Sequence, residues 1–182
     1  MTNIAERLHE QLLVIRCQAG DEDAFAELVA RYHPRLRYYL HRMLPREDHV
    51  DDVLQEVWLA VFRALPRLAD PAALATWLYR IARDKASVQW RGRPPERLLD
   101  IADLSEEPSQ DDEFRQEDAQ EIHASLDQLT SEQREILVLR FLEDMTYEQI
   151  AKVTDCPIGT VRSRLFYAKS ALRQAIEQRR SK

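Results

Sequence analysis

The stretch "TYEQIAKVTDCPIGTVRSRLFYAKSALR", residues 146–173, decides the fold. Thr146 is followed three residues later by Gln149, the pattern of a capping box, in which the two side chains satisfy orphan amides at a helix start. Met145 precedes the cap where it can staple against Ile150. A helix of about eight residues then meets the turn "TDCP". Pro157 sits at or beside the first position of the next helix, where its missing N–H does no harm. In that helix, running to about Gln178, the residues Ile158, Val161, Leu165, Ala168 and Leu172 fall on one stripe and are expected to be buried. Arg162, Ser163, Phe166, Tyr167 and Lys169 then face elsewhere, and Gly159 is expected to let backbones approach closely at the helix entrance. Two aromatics among cations on an outward face need a reason other than a core.

Upstream, "LTSEQREILVLRFL" repeats the capping device with Thr130 and Gln133, each such cap contributing about 1 kcal/mol. Nearer the start, "DEDAFAELVARYHPRLRYYLHRML" places Phe25, Leu28, Val29, Tyr32, Leu36, Leu40 and Met43 at helical spacing. Acids at its beginning suit the positive end of the helix dipole, and Pro34 is expected to bend or divide it. "HVDDVLQEVWLAVFRAL" puts Val50, Val53, Leu54, Val57, Val61 and Leu65 on one face. After the breaker "PRLADP", "AALATWLYRIARDKASVQW" resumes the helical pattern and ends near Gly92. Residues 96–118 are rich in Asp, Glu, Ser and Pro and hold no sustained period, the composition of a linker. The expectation is therefore all-α: two small helical domains, 1–95 and 119–182, joined by a flexible acidic linker, 96–118.

Composition agrees. The 182 residues contain only three glycines, too few for a turn-rich β-sandwich or a Gly-rich phosphate loop. The formal charge of −6 would argue against a nucleic-acid partner were it uniform. It is not: residues 96–121 hold eleven acids against two arginines, a local net of −9. Residues 157–182 hold seven Lys/Arg against Glu177, a net of +6, and residues 80–97 hold six cations against two acids. Cys17 and Cys156 form no paired motif and read as buried thiols in a reducing compartment. With no signal-like start, and no run approaching the roughly 18 apolar residues of a membrane span, the expected location is the cytoplasm, without membrane insertion.

A short helix, a tight turn and a longer basic helix describe a helix-turn-helix, whose second helix enters the major groove of DNA. There Thr160 donates to a phosphate, Arg162 and Arg164 reach phosphates or pair with guanine, and Phe166 meets a thymine methyl or a sugar edge. The alternative is a charged helix in an ordinary bundle, its aromatics packed against neighbours.

The same stretch resembles the DNA-reading end of the extracytoplasmic-function sigma factors of bacterial RNA polymerase, members of the sigma-70 family. "GDEDAFAELVARYHPRLRYYL", "DVLQEVWLAVFRAL" and "ATWLYRIARDKA" resemble that family's N-terminal domain, in the right order. The resemblance implies a transcription initiation factor that binds core RNA polymerase and promoter DNA. Its C-terminal domain would meet the β flap and read the minus-35 element through Arg162, Ser163, Arg164 and Phe166. Tyr167 departs from the pattern, since many relatives carry a basic residue there. Asp48, Asp51, Asp52, Gln55 and Glu56 match a face that docks on the β′ clamp helices, where charge specifies partner and on-rate more than affinity. Read without the resemblance, that face is a solvated acidic surface.

The minus-10 element falls, on the same resemblance, to the loop Pro66, Arg67, Leu68, Ala69 and Asp70, a pocket for a flipped base. A basic track of Arg80, Arg83, Lys85 and Arg91 accompanies it. Asp84 stands where relatives often have Asn, and Val88 where they often have Asp or Asn, so minus-10 preference is not inherited. Trp77 reads as a core residue packed with Leu78 and Ile81 ahead of a base-stacking one. The resemblance also implies an anti-sigma partner that occludes both domains.

No catalytic motif is present: there is no P-loop, no GxSxG and no metal-ligand spacing among His9, His33, His41, His49 and His123. No metal or cofactor is expected. The competing function is a polymerase-independent helix-turn-helix regulator whose N-terminal block oligomerises or senses a signal.

Overall fold

The computed structural model describes residues 4–89 and 119–181. Arg91, the linker 96–118 and the two domain edges beside it lie outside the described residues. Among those described there is no strand, and no helix is long and apolar enough to cross a membrane.

Four helices form the N-terminal block: α1 (Ile4–Gln18), α2 (Glu22–Met43), α3 (Val50–Ala64) and α4 (Leu74–Gln89). Gly20, at φ +86°, makes the corner after α1 in a conformation that strains any residue with a Cβ. Asp21 then caps α2, its Oδ1 accepting from the Ala24 amide at 3.0 Å while Arg16 Nε donates to its other oxygen at 2.9 Å. Helix α2 runs through Pro34 without division. Pro34 and Ala30, whose carbonyl loses its partner, both lie on the exposed side, so water can satisfy what the helix gives up. The predicted core stripe is buried at Leu28, Tyr32, Leu36, Leu40 and Met43, with Ala24 and Tyr39 added. Phe25 and Val29 are only half-buried. Helices α3 and α4 bury Val50, Val53, Leu54, Val57 and Val61, and Leu74, Leu78, Tyr79 and Ala82. Half-buried Trp77 and Ile81 pack against that core, as expected of a structural tryptophan.

The C-terminal block comprises α5 (Ala119–Leu126), α6 (Ser131–Leu137), α7 (Tyr147–Thr154) and α8 (Ile158–Arg180), with a π-helical turn, Val138–Leu142, extending α6. Both capping boxes form as the sequence predicts, at Thr130/Gln133 and Thr146/Gln149. Asp155 ends α7 in the left-handed region at φ 54°, and Pro157 becomes the residue just outside α8. Val161, Leu165, Ala168 and Leu172 are buried against the block, continued by Ala175 and Ile176.

Three expectations are corrected. Ile158 is 39% exposed, because it opens α8 before the helix has turned onto its neighbours. Gly159 makes no close approach, since a Cβ there would meet nothing within 4 Å. Cys17 and Cys156 are free but half-buried, the latter with Sγ 3.2 Å from the Thr154 hydroxyl.

A finding that periodicity does not announce is that the two blocks pack on each other. Helix α4 lies along α7, and α2 lies along α6.

Candidate nucleic-acid interface

On α8, Arg162, Ser163 and Phe166 face solvent, and Phe166 is 51% exposed. The buried stripe on the opposite side holds this face in register with α7. Thr160 is half-buried, and its carbonyl accepts from the Ser163 hydroxyl at 3.1 Å. Tyr167 is half-buried with its ring edge-on to Phe166, the centroids 5.5 Å apart, so it braces the exposed aromatic. Arg164 differs from the reading of it as a free reader: it is turned back, its Nη2 3.5 Å from Glu132 of α6. Lys169 lies over the Phe141 ring. At the start of α7, the Glu148 carboxyl is held below the ordinary range by a backbone amide first, then by the Thr146 hydroxyl, with Arg162 adding to the effect. Helix α8 thus presents a cationic, partly aromatic surface on a rigid support, the combination that fits a phosphate-lined groove.

The loop at Pro66–Asp70 is built from a 3₁₀ turn (Leu65–Arg67), an extended step at Leu68, and a second 3₁₀ turn (Pro71–Ala73). Asp70 caps the second turn by accepting from the Ala72 amide at 2.9 Å. Gln18, at the end of α1, donates through Nε2 to the Leu68 carbonyl at 2.8 Å and to that of Leu65 at 3.1 Å. Sequence reading missed this tie, which holds the loop against the first helix. Pro66, Arg67, Ala69 and Asp70 stay exposed.

The three described cations of the basic track are each engaged by other groups. Arg80 is exposed and donates to the Lys152 carbonyl at 3.4 Å. Arg83 is engaged by Glu135 of α6, Nε to Oε1 at 2.9 Å. Lys85 lies 3.6 Å from Glu56, and Arg91 falls outside the described residues. The two departures, Asp84 and Val88, both face solvent.

The acidic face lies on α3, where Asp51, Asp52, Gln55 and Glu56 are all exposed. Asp48 belongs to the 3₁₀ turn Glu47–His49 that precedes the helix, so the five residues do not share one helical face. Its carboxyl is held low chiefly by Arg46, whose Nη2 is 2.7 Å away. Asp51 accepts from Arg37 Nε at 3.1 Å. Two apolar residues missed in the sequence extend this surface: Leu59 is 49% exposed and Phe62 is 64% exposed. They fall off the buried stripe of α3, and that surplus of apolar positions was the available signal. His49 lies 4.0 Å from Asp48, and among the described residues no group of three or more His, Cys, Asp or Glu gathers around a common point.

Between the blocks, the Tyr39 hydroxyl donates to the Glu135 oxygen that Arg83 also reaches, at 2.7 Å. Burial, and then that carboxylate, push the Tyr39 phenol far above its ordinary range, which keeps it a proton donor. Glu143, just past the π turn, takes Arg35 Nε at 2.9 Å and Nη2 at 2.5 Å. Burial disfavours the Arg35 charge, but the Glu143 carboxylate restores it. Arg42 reaches Asp127, and Arg134 Nη1 donates to the Arg42 carbonyl at 2.8 Å.

Comparison with known proteins places this geometry. Residues 28–93 match the model for sigma-70 region 2, and residues 119–172 match that for sigma-70 region 4. The ECF RNA polymerase sigma-E factor of Escherichia coli (strain K12) is 35% identical over 187 residues, covering 96% of this chain and 97% of that one. Among solved structures, CnrH in complex with the cytosolic domain of CnrY matches with a TM-score of 0.66 at 25% identity, over 93% of this chain and 97% of CnrH. The sigma factor RpoE of Bartonella quintana, in complex with the anti-sigma factor NepR, matches with a TM-score of 0.64 at 23% identity. That match covers 84% of this chain and 96% of RpoE, and shows the shared fold.

Proposed function

This chain belongs to the extracytoplasmic-function sigma factors of the sigma-70 family, and from that premise we propose how its surfaces divide the work of binding core RNA polymerase and directing it to promoters. The observation that carries the division is α8: exposed Arg162, Ser163 and Phe166 stand on a buried stripe behind a doubly capped α7. That face reads the minus-35 element, with Thr160, Arg164 and Tyr167 at its border. Arg164 contributes after leaving Glu132, and Tyr167 orients Phe166. The loop Pro66–Asp70 receives an unstacked minus-10 base, with Arg80, Arg83, Lys85 and Arg91 along the strand and Asp84 and Val88 setting preference. Asp48, Asp51, Asp52, Gln55 and Glu56, extended by Leu59 and Phe62, dock on the β′ clamp helices, and the C-terminal block meets the β flap.

The domain limits follow: 1–95 for docking and minus-10 recognition, 96–118 as tether, 119–182 for minus-35 recognition. Family membership sets aside a polymerase-independent regulator. Sigma factors act by binding, and we assign this chain no catalytic residue, metal or cofactor. It acts where polymerase is, in the cytoplasm. An anti-sigma partner is proposed because the similar RpoE of Bartonella quintana was solved in complex with the anti-sigma factor NepR.

Run-off transcription with purified core polymerase tests the assignment. Arg162→Ala is expected to weaken minus-35-dependent initiation by about 1–3 kcal/mol while core binding is retained. Equal loss of core binding and promoter use would make Arg162 a structural residue.

A further inference from the structure

The first helix ends on a side chain that reaches across to another element. Gln18, half-buried at the last position of α1, donates through Nε2 to the Leu65 carbonyl at 3.1 Å and to the Leu68 carbonyl at 2.8 Å. An amide nitrogen carries two protons, so these bonds use its whole donor capacity. The two carbonyls mark the two ends of one turn, which the Leu68 amide closes by donating to Leu65 at 3.1 Å. Leu65 is buried, whereas Pro66, Arg67, Ala69 and Asp70 are exposed. Gln18 thus grips the loop where it leaves the core for solvent. Its own position is fixed by the corner that follows. The Ala19 and Gly20 amides donate back to the Ile15 and Cys17 carbonyls at 3.0 Å, and the Asp21 amide to Arg16 at 3.1 Å. Arg16 also holds the Asp21 carboxylate, with Nη2 2.7 Å away. The end of α1 therefore has little freedom to follow a moving loop.

A base leaves its stack at a cost, and a loop that must order itself around that base adds a second cost to the same step. A loop already held in one shape removes the second. We propose that Gln18 is a positioning residue for the minus-10 loop: it holds Pro66–Asp70 in the shape that receives an unstacked base, and so acts on promoter opening. Gln18 does not meet the base; it acts through the Leu65 and Leu68 carbonyls. The readers Arg162, Ser163 and Phe166 stand on α8, and the docking acids Asp52 and Glu56 on the exposed face of α3. Duplex binding and polymerase docking are therefore untouched by the tie. The inference rests on the reading of this loop as the base pocket.

Holoenzyme assembled from the full chain tests this on a promoter carrying a fluorescent base analogue in its minus-10 element. Stopped-flow mixing separates closed-complex affinity from the rate of opening. Gln18→Leu keeps the bulk and loses both donors, so it is expected to slow opening about ten-fold, with closed-complex and core affinity within about two-fold of wild type. Gln18→Glu adds a pH signature. As a carboxylate it faces two carbonyl oxygens with no proton to give, and once protonated it donates one bond. Its defect should match that of Gln18→Leu at about pH 8 and shrink to about three-fold at about pH 6, while that of Gln18→Leu stays constant relative to wild type. A residue that merely supported the fold would weaken core binding and opening together. Such equal losses, or wild-type opening in both variants, overturn the proposal. Should Gln18→Leu lose its helical circular dichroism, Gln18→Glu carries the test alone, and no recovery on acidification overturns the proposal. Ala69→Trp, which puts a large ring in the exposed loop, separates this outcome from failure of the pocket reading. If Ala69→Trp opens promoters normally, the loop takes no base, and the pocket reading falls and the proposal with it. If Ala69→Trp blocks opening while Gln18→Leu does not, the pocket stands and the role of Gln18 is overturned.

Discussion

The acids of α3 and two acids of the C-terminal block, Glu135 on α6 and Glu143 just past the π turn, are chemically alike and physically opposite. Asp51, Asp52 and Glu56 sit in water, where partners such as Arg37 and Lys85 touch them without enclosing them. Glu135 and Glu143 are enclosed, and each is matched by a guanidinium from the other block. The difference teaches that the same charge steers when it is hydrated and clamps when it is buried. A hydrated carboxylate retains its field for a distant partner at little loss to the fold. A buried one has surrendered its water and depends on the partner it has. Removing a member of each set should therefore separate the two behaviours, and the largest effect belongs to Glu135. Its replacement by alanine strands the buried Tyr39 hydroxyl and leaves Arg83 without its carboxylate. We expect a loss of about 3 kcal/mol of stability, moderated because the Arg83 side chain is 28% exposed and can still reach water. Calorimetry should resolve two transitions where the wild type gives one. A single, unshifted transition would show that the junction carries no stability.

The hydrated set should behave in the reverse manner. Asp52→Arg with Glu56→Arg is expected to leave the thermal transition within a few degrees of wild type. Affinity for core polymerase should fall by about 2 kcal/mol, and the on-rate should lose or invert its salt dependence, because the steering charge is reversed. Unchanged core affinity would move the docking site off α3, toward the apolar Leu59 and Phe62 alone.

How far this contrast could be read in advance follows from what each feature depends on. Local devices were legible: the Thr146/Gln149 and Thr130/Gln133 boxes, the turn before Pro157 and the stripe from Val161 to Leu172 need only neighbours within one or two turns. The acidic face was legible for the same reason, since spacing alone puts Asp52 and Glu56 off the stripe that Val50, Val53, Val57 and Val61 bury. Glu135 was not. It stands between Arg134 and Ile136 in a run that reads as amphipathic, and nothing nearby states that its partner lies 52 residues back on α4. Arg80 and Arg83 show in the sequence only as members of a basic track, for composition counts charges without pairing them. Ile158 differs by less, since it opens α8, and the Glu132 partner of Arg164 is likewise on another helix that local spacing does not show. The carboxylates of the junction became visible only once two elements far apart in sequence were brought together.

The smallest effect sharpens the comparison most. Arg37 and Asp51 form an ion pair at 3.1 Å with side chains 54% and 75% exposed, so water screens both charges. Arg37→Ala should change stability by no more than about 0.5 kcal/mol, the range of an exposed pair that must also order two side chains. Yet it removes a cation beside a docking carboxylate, so the negative field of the α3 face strengthens. Association with core polymerase should then accelerate about two-fold at low salt, with the gain fading toward physiological ionic strength as the Debye length shortens to about 8 Å. Asp51→Ala has the same negligible effect on stability and the opposite effect on the on-rate. Stopped-flow association at two salt concentrations reads both. If either substitution destabilises the fold as Glu135→Ala does, Asp51 belongs with the clamping acids and the division between the two sets fails at this residue.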